Sequence, residues 1–385
     1  MRLRHHTGRT VNLSAGTILH PARDLSDVIE QLDSYASKVR DRLGADTLGV
    51  SLWLPPALTA TLAVESRSRA RLRAELDARG LEVVSLSGVR YGDGAPDWSN
   101  PARLEYTLDL ARVLVDLLPD DAVRGVISTV GLGRRDDWNV DRDRSCGRIL
   151  ARLSRGLAEV AWQTGRAVRV GFQPEPGGVL DTAAHTAAAL ATVDPERLGV
   201  CLDLANLACS WEHPADALDT LADNGISVIR VQVTAALATA QPAAAAGVLR
   251  GYVDPDQPHP VTTAAGAYVD DLGRALDAGP PGPWRIRCRV PLHSAPPSPL
   301  VATTDVARAA LRHLMGGAHP ATEYLDVDPG EWCGQTADLA GEVAAELEHL
   351  GGLLSGSGVG PVRPPQREMA APGGGAAITV TQLCQ

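Results

Sequence analysis

The sequence predicts an α/β fold, a (β/α)8 TIM barrel, and three observations lead there. Apolar runs of strand length alternate with longer stretches patterned at helical spacing, along nearly the whole chain. The strand-like runs are apolar on both faces, the mark of a parallel sheet covered by helices on either side. None of them is followed by G-x-G-x-x-G, which argues against an open, nucleotide-binding doubly wound sheet.

Taken in order, the strand-like runs are 11–17, 48–54, 81–88, 124–130, 168–172, 198–204, 227–234, 284–291 and 322–328. Eight such units close a barrel, so one of these nine runs is an insertion hairpin or no strand at all. The first helix shows Leu25, Val28, Ile29, Leu32, Tyr35, Ala36, Val39 and Leu43 on one stripe. The arginine-rich helix before Gly80 ends there in a left-handed cap. Asn100-Pro101 reads as an N-cap followed by proline at the first helical position. An alanine-, proline- and glycine-rich excursion covers 235–283, with one weak helix near 268–276. The barrel domain is expected to span 1–354. From Ser355 the composition turns to Gly, Pro, Ser and Ala, which cannot bury a core, and 355–385 is expected to be a disordered tail.

Composition removes several functional classes. The chain carries a net charge of −10 and no basic stripe stands out in the sequence, which speaks against nucleic-acid binding, where phosphate neutralisation supplies most of the affinity. Lys38 is the single lysine and lies in a helical pattern, so a Schiff-base mechanism is not expected. The arginine and alanine bias matches coding from a GC-rich genome. The cysteines form no C-x-x-C pair, no apolar run follows the first residues, and no segment is long and apolar enough for a membrane span; a reduced, cytoplasmic protein is the plain expectation.

The informative stretch is 168–206. There V-R-V-G-F-Q-P-E-P-G-G ends one strand at Gln173 and Glu175, and L-G-V-C-L-D-L-A-N ends the next at Asp203, with Asn206 three residues on. Residues at the carboxyl ends of barrel strands share one mouth, where function is built. Two carboxylates at successive strand ends are costly together unless a cation, a proton or a substrate group neutralises them. A lone strand-end carboxylate is more often a helix N-cap or a loop acceptor, and it is the pairing that lifts Glu175 and Asp203 above that reading.

With these pieces in view, the chain resembles the metabolite-traffic proteins called EboE, themselves similar to the xylose-isomerase-like TIM barrels of sugar isomerases, epimerases and apurinic endonucleases. The resemblance rests on I-L-H-P-A at 18–22, L-G-V-S-L-W-L at 48–54, P-D-W-S-N-P-A-R-L-E-Y-T-L-D-L-A at 96–111, I-S-T at 127–129, Q-P-E-P-G at 173–177 and C-L-D at 201–203. V-Q-V-T-A-A-L at 231–237, R-V-P at 289–291 and the last acidic strand with Trp332 complete it. It implies a divalent-metal site drawing on Glu175, Asp203, Gln232 and Asp328, or Asp326 in place of Asp328. That oxygen-rich set favours Mg²⁺ or Mn²⁺ over Zn²⁺. The departures point the other way. Gln173 replaces the first glutamate of the Glu-Pro-Glu-Pro piece, and Asn206 and Arg289 replace histidines. A site without metal, in which Arg289 neutralises Glu175 or Asp203, is the alternative.

Under the resemblance the catalytic candidates are Glu175, Asp203, His20 and His293, with Glu175 as base or metal ligand and His20 as general acid. Gln173, Gln232, Arg289, Asn206, Tyr91 and Arg134 are candidates for substrate contact; Arg134 with Arg135 is equally readable as a solvated pair. His185 reads as packing or surface, His5 and His6 as exposed and inert, and Cys201 as a buried structural thiol. Two functional classes follow. One is an isomerase, epimerase or lyase acting on a small polyhydroxylated or cyclised precursor of secondary metabolism. The other is a catalytically lapsed barrel that binds a metabolite and hands it on. The expected partner is therefore a small molecule, with a homodimer and pathway enzymes compatible with either class.

Overall fold

The computed structural model describes residues 1–17, 22–89, 96–330, 332 and 336–361. The chain enters through β1 (Arg2–His5), which turns back antiparallel onto β2 (Thr10–Gly16). From there β3 (Leu48–Trp53), β4 (Leu81–Gly88), β5 (Arg124–Thr129), β6 (Ala167–Phe172), β7 (Leu198–Asp203) and β8 (Val228–Gln232) add in parallel, each beside its predecessor. The chain then leaves the ring for β9 (Ala235–Thr239), β10 (Val261–Thr263), β11 (Tyr268–Val269), β12 (Trp284–Val290) and β13 (Val301–Ala302). It returns as β14 (Tyr324–Val327), which pairs with both β8 and β2 and closes the barrel, as the sequence predicted. No helix of the described residues is long and apolar enough to cross a membrane.

The ninth strand-like run is β12. It is the middle strand of a separate five-stranded sheet of order β11-β10-β12-β9-β13, so the excursion is a folded insertion with two helices, Pro242–Leu249 and Leu272–Ala278. Trp211 clamps it to the barrel. Its indole Nε1 donates to Thr262 Oγ1 at 3.0 Å, and the guanidinium of Arg285 lies 4.0 Å from its ring centroid. Trp211 holds φ +62, a left-handed conformation rare for a large side chain.

Local chemistry sets the helix ends. Asn100 Oδ1 accepts from Ala102 N with Pro101 at the first turn, and Asn139 Oδ1 accepts from Asp141 N and Arg142 N to start the long helix Val140–Thr164. Gly80 closes the arginine-rich helix Ser66–Ala78 at φ +62. The outer strand faces and the inward helix faces make one apolar core of leucine, valine and alanine, with Trp98 edge-on to Phe172. Burying each such leucine or valine contributes about 1.5–3 kcal/mol.

Two expectations change. The composition shift at Ser355 does not end the ordered chain, because β15 (Val359–Pro361) pairs antiparallel with β1; the rest of the expected tail, 362–385, lies outside the described residues. His5, expected at the surface, is buried, with Nε2 at 2.9 Å from the carbonyl of Met315.

The lumen is polar where a barrel of this kind usually stacks branched apolar side chains. Ser51 and Ser85 pair in register, as do Ser87 and Ser128, and all are buried. Arg230 crosses the lumen from β8 to β5, donating through Nη1 to Ser128 Oγ at 2.9 Å and pairing through Nη2 with Asp326, whose other oxygen accepts from Ser14 Oγ at 2.9 Å.

Candidate functional site at the carboxyl ends of the strands

Strand ends β6, β7, β8 and β14 bring Gln173, Asp203, Gln232 and Asp328 together above the Arg230–Asp326 pair. Asp203, only 1% exposed, is the centre. Its Oδ1 accepts from Ala205 N at 2.9 Å and Thr234 Oγ1 at 3.1 Å. Its Oδ2 accepts from Arg289 Nε and from Arg289 Nη2, both at 2.7 Å, and from Gln173 Nε2 at 3.3 Å. Both oxygens of Asp203 are thus occupied as acceptors by protein donors. Arg289 comes from β12, so the insertion supplies the counter-charge of a barrel residue. Asp328 accepts from Gln232 Nε2 at 3.2 Å and from Gly330 N at 3.0 Å.

Glu175 lies elsewhere. Two residues beyond Gln173, it is half-buried in a neighbouring cleft of about 470 Å³ lined also by Asp97, Gly133, Arg134 and Arg142. The residue that meets Asp203 from the end of β6 is thus Gln173, and Glu175 and Asp203 do not face each other. Among the described residues the Glu175 carboxylate has no hydrogen-bond or ion-pair partner. Arg134 donates to Tyr268 OH at 3.3 Å and stands 3.8 Å from Asp136. Asn206 is buried behind the mouth, donating through Nδ2 to the Pro174 carbonyl at 3.0 Å and so fixing the segment between Gln173 and Glu175.

His293 is turned away. Its Nδ1 stands 2.8 Å from Glu346 and its Nε2 3.0 Å from Glu342, both on the last helix, Leu339–Ser355, which it ties to the end of the insertion. Glu346 also accepts from the backbone N–H groups of Leu292 and His293. His20 and Tyr91 lie outside the described residues. Asp326 belongs to the lumen; burial pushes its carboxyl above the usual range despite the guanidinium of Arg230. Sequence reasoning missed Thr234 and Arg230, although an arginine inside the apolar run S-V-I-R-V-Q-V-T was a visible signal.

These residues do not fit a divalent cation. Among the described residues no three of His, Cys, Asp and Glu converge on one point. The Asp203 oxygen turned to the mouth already carries a guanidinium, and a cation there would meet the positive charge of Arg289 at close range. Among the described residues one buried acceptor at the mouth stays open instead, Gln173 Oε1, a place for a hydrogen-bond donor such as a hydroxyl.

Comparison with known proteins adds the lineage. A family model described as Xylose isomerase-like TIM barrel matches residues 39–241. No curated protein matches the sequence. Among solved structures, a D-tagatose 3-epimerase-like protein superposes with a TM-score of 0.52 at 12% identity, covering 90% of this chain and 98% of that one. L-ribulose 3-epimerase does so with a TM-score of 0.52 at 13% identity, covering 90% and 95%. A xylose isomerase-like TIM barrel protein from Mycobacterium smegmatis, in complex with magnesium, gives 0.52 at 14% identity, covering 90% and 97%. Likeness at these identities is a likeness of fold.

Proposed function

The chain belongs to the xylose-isomerase-like TIM-barrel family, and on that premise we propose that it binds a small polyhydroxylated or cyclised metabolite at the barrel mouth and moves a proton on it, as an isomerase, epimerase or lyase of a biosynthetic pathway. The observation that carries this reading is the Arg289–Asp203 pair. It sets a buried guanidinium–carboxylate dipole at the strand ends, against which a substrate carbonyl can be oriented without a resident metal. Gln173 offers an acceptor to a substrate hydroxyl. Glu175, the carboxylate of the predicted set without a donor, is the group available to take the proton from the adjoining cleft.

A second reading has its own support. Both carboxylates of the mouth are already satisfied by protein donors, as in a barrel that holds a metabolite and passes it on, and the resemblance to EboE agrees with it.

Proton NMR in D2O separates the two, using D-fructose, D-tagatose, their C3 epimers and 2-keto-myo-inositol as probes. The enzyme reading expects the proton beside the carbonyl of at least one probe to exchange for deuterium, with Glu175→Gln slowing exchange about 100-fold or more. Binding without exchange, equal in wild type and Glu175→Gln and lost in Asp203→Asn, favours the traffic reading. A panel that neither binds nor exchanges removes both.

A further inference from the structure

The outer face of helix Val140–Thr164 carries Arg144, Arg148, Arg152 and Arg155, spaced four, four and three residues apart on one exposed stripe. Along a helix that is a ladder of about 16 Å. Continuing the stripe past Glu159 leads to Trp162, which is 90% exposed. Internal contacts leave most of this charge unspent. Arg144 stands 3.6 Å from Asp141 and Arg148 donates to Ser145 Oγ, while Arg152 and Arg155 have no hydrogen-bond or ion-pair partner among the described residues. The expectation of no basic stripe is thus corrected on this one helix face, although the chain as a whole carries a net charge of −10.

Beside the ladder runs a groove of about 610 Å³ between this helix and the one that follows it, Ala183–Leu190. Leu132, Leu150 and Val193 line it together with Asp143, Asp194 and Arg155, and through Arg155 the slot is continuous with the arginine ladder, whose four guanidiniums outnumber the two carboxylates. Gly147 is on the slot's lining, and a methyl group added there would meet nothing within 4 Å, so a larger side chain is sterically admitted.

We propose that this face docks an acidic amphipathic helix of a partner protein. Leucine-type side chains enter the groove, carboxylates on the flanking face meet Arg148, Arg152 and Arg155, and Trp162 covers the end of the contact. An amphipathic helix in a groove is a common recognition mode, and an exposed tryptophan beside arginines is the composition of interface anchors. Charge complementarity selects an acidic partner. Nucleic acid fits less well, since phosphates have no use for an apolar slot.

Fluorescence anisotropy tests this with a labelled 18-residue peptide that carries leucines on one helical face and glutamates on the others. A peptide of the same composition, scrambled to abolish the apolar face, is the control. We expect the amphipathic peptide to bind at least 10-fold more tightly than the scrambled one. Arg148→Glu/Arg152→Glu/Arg155→Glu should weaken it at least 10-fold, and Gly147→Leu, which adds bulk at the groove lining without changing charge, at least 5-fold. Equal binding of the two peptides, or indifference to Gly147→Leu, overturns the proposal. So does tighter binding of a 20-nucleotide DNA strand or of phosphatidylserine vesicles, which assigns the ladder to phosphates, and so does the absence of any binding.

Discussion

Arg289 Nε and Nη2 both lie 2.7 Å from Oδ2 of Asp203, a side-on pairing between a strand of the inserted sheet and the end of a barrel strand. Removing one partner leaves the other charged and buried. Arg289→Met is therefore expected to cost about 3–5 kcal/mol of unfolding free energy by urea titration. With the guanidinium gone, Asp203 becomes accessible to cations, and millimolar Mn²⁺ should raise the thermal midpoint of the variant and leave that of the wild type in place. A wild-type midpoint that responds to Mn²⁺ as strongly as the variant's would contradict this account of the mouth.

The Arg230–Asp326 pair in the lumen allows a sharper test of buried charge. Arg230→Met alone should lose about 3–5 kcal/mol, whereas Arg230→Met/Asp326→Leu should recover most of it, because replacing both partners leaves no orphan. The single variant also has a signed pH dependence. Burial holds Asp326 above its unfolded value, so the folded state takes up its proton more readily. Stability of Arg230→Met should accordingly rise as pH falls through that raised value and decline as pH rises through it. A single variant that grows steadily less stable between pH 7 and pH 5 argues against an uncompensated Asp326 carboxylate.

The thiols should be inert in the native state. Burial pushes Cys146, Cys201 and Cys209 up to about 12, and Cys288 is buried as well. At pH 8 the thiolate fraction of a group near 12 is about one in ten thousand. Iodoacetamide followed by peptide mass spectrometry should label these positions no faster than the chain unfolds. Stoichiometric labelling within minutes would show that the strands and helices carrying them open locally.

A buried water is expected between two helices. Among the described residues Thr186 Oγ1 and Asn206 Oδ1 have no partner, and both line a cavity of about 30 Å³, room for one or two waters with polar neighbours. A crystal structure better than 2 Å should show density bridging these oxygens. Thr186→Val should empty the site at a cost of about 1 kcal/mol.

Much of the barrel was legible because parallel strands buried on both faces must be apolar, and because the Asn100-Pro101 start and the Gly80 stop are local chemistry. The inserted sheet was not. Ala235–Thr239 and Trp284–Val290 pair across a long separation, and nothing in an alanine-rich run announces a partner so far along the chain. At the mouth, Asp203 was readable as a strand end. Which side chain of Q-P-E-P faces it was not, since the two candidates differ by a two-residue step over a proline and charge alone favours Glu175. β1 escaped notice because four residues of R-L-R-H are too short to show a period.

The inserted sheet has a further consequence at β12, where the pairing with β9 slips between Ile286 and Arg289. The two extra residues there bring Arg289 rather than Arg287 opposite Ala236, within reach of Asp203, and a change of one residue would turn the side chain at that place to the opposite face. The cation of the mouth is thus written in the reading frame of an accessory strand rather than in the barrel itself. Deleting a single residue at 287 or 288 would withdraw it while leaving all eight barrel strands intact. In this lineage a one-codon event in a peripheral sheet would be enough to convert an arginine-sealed carboxylate into one open to another counter-ion.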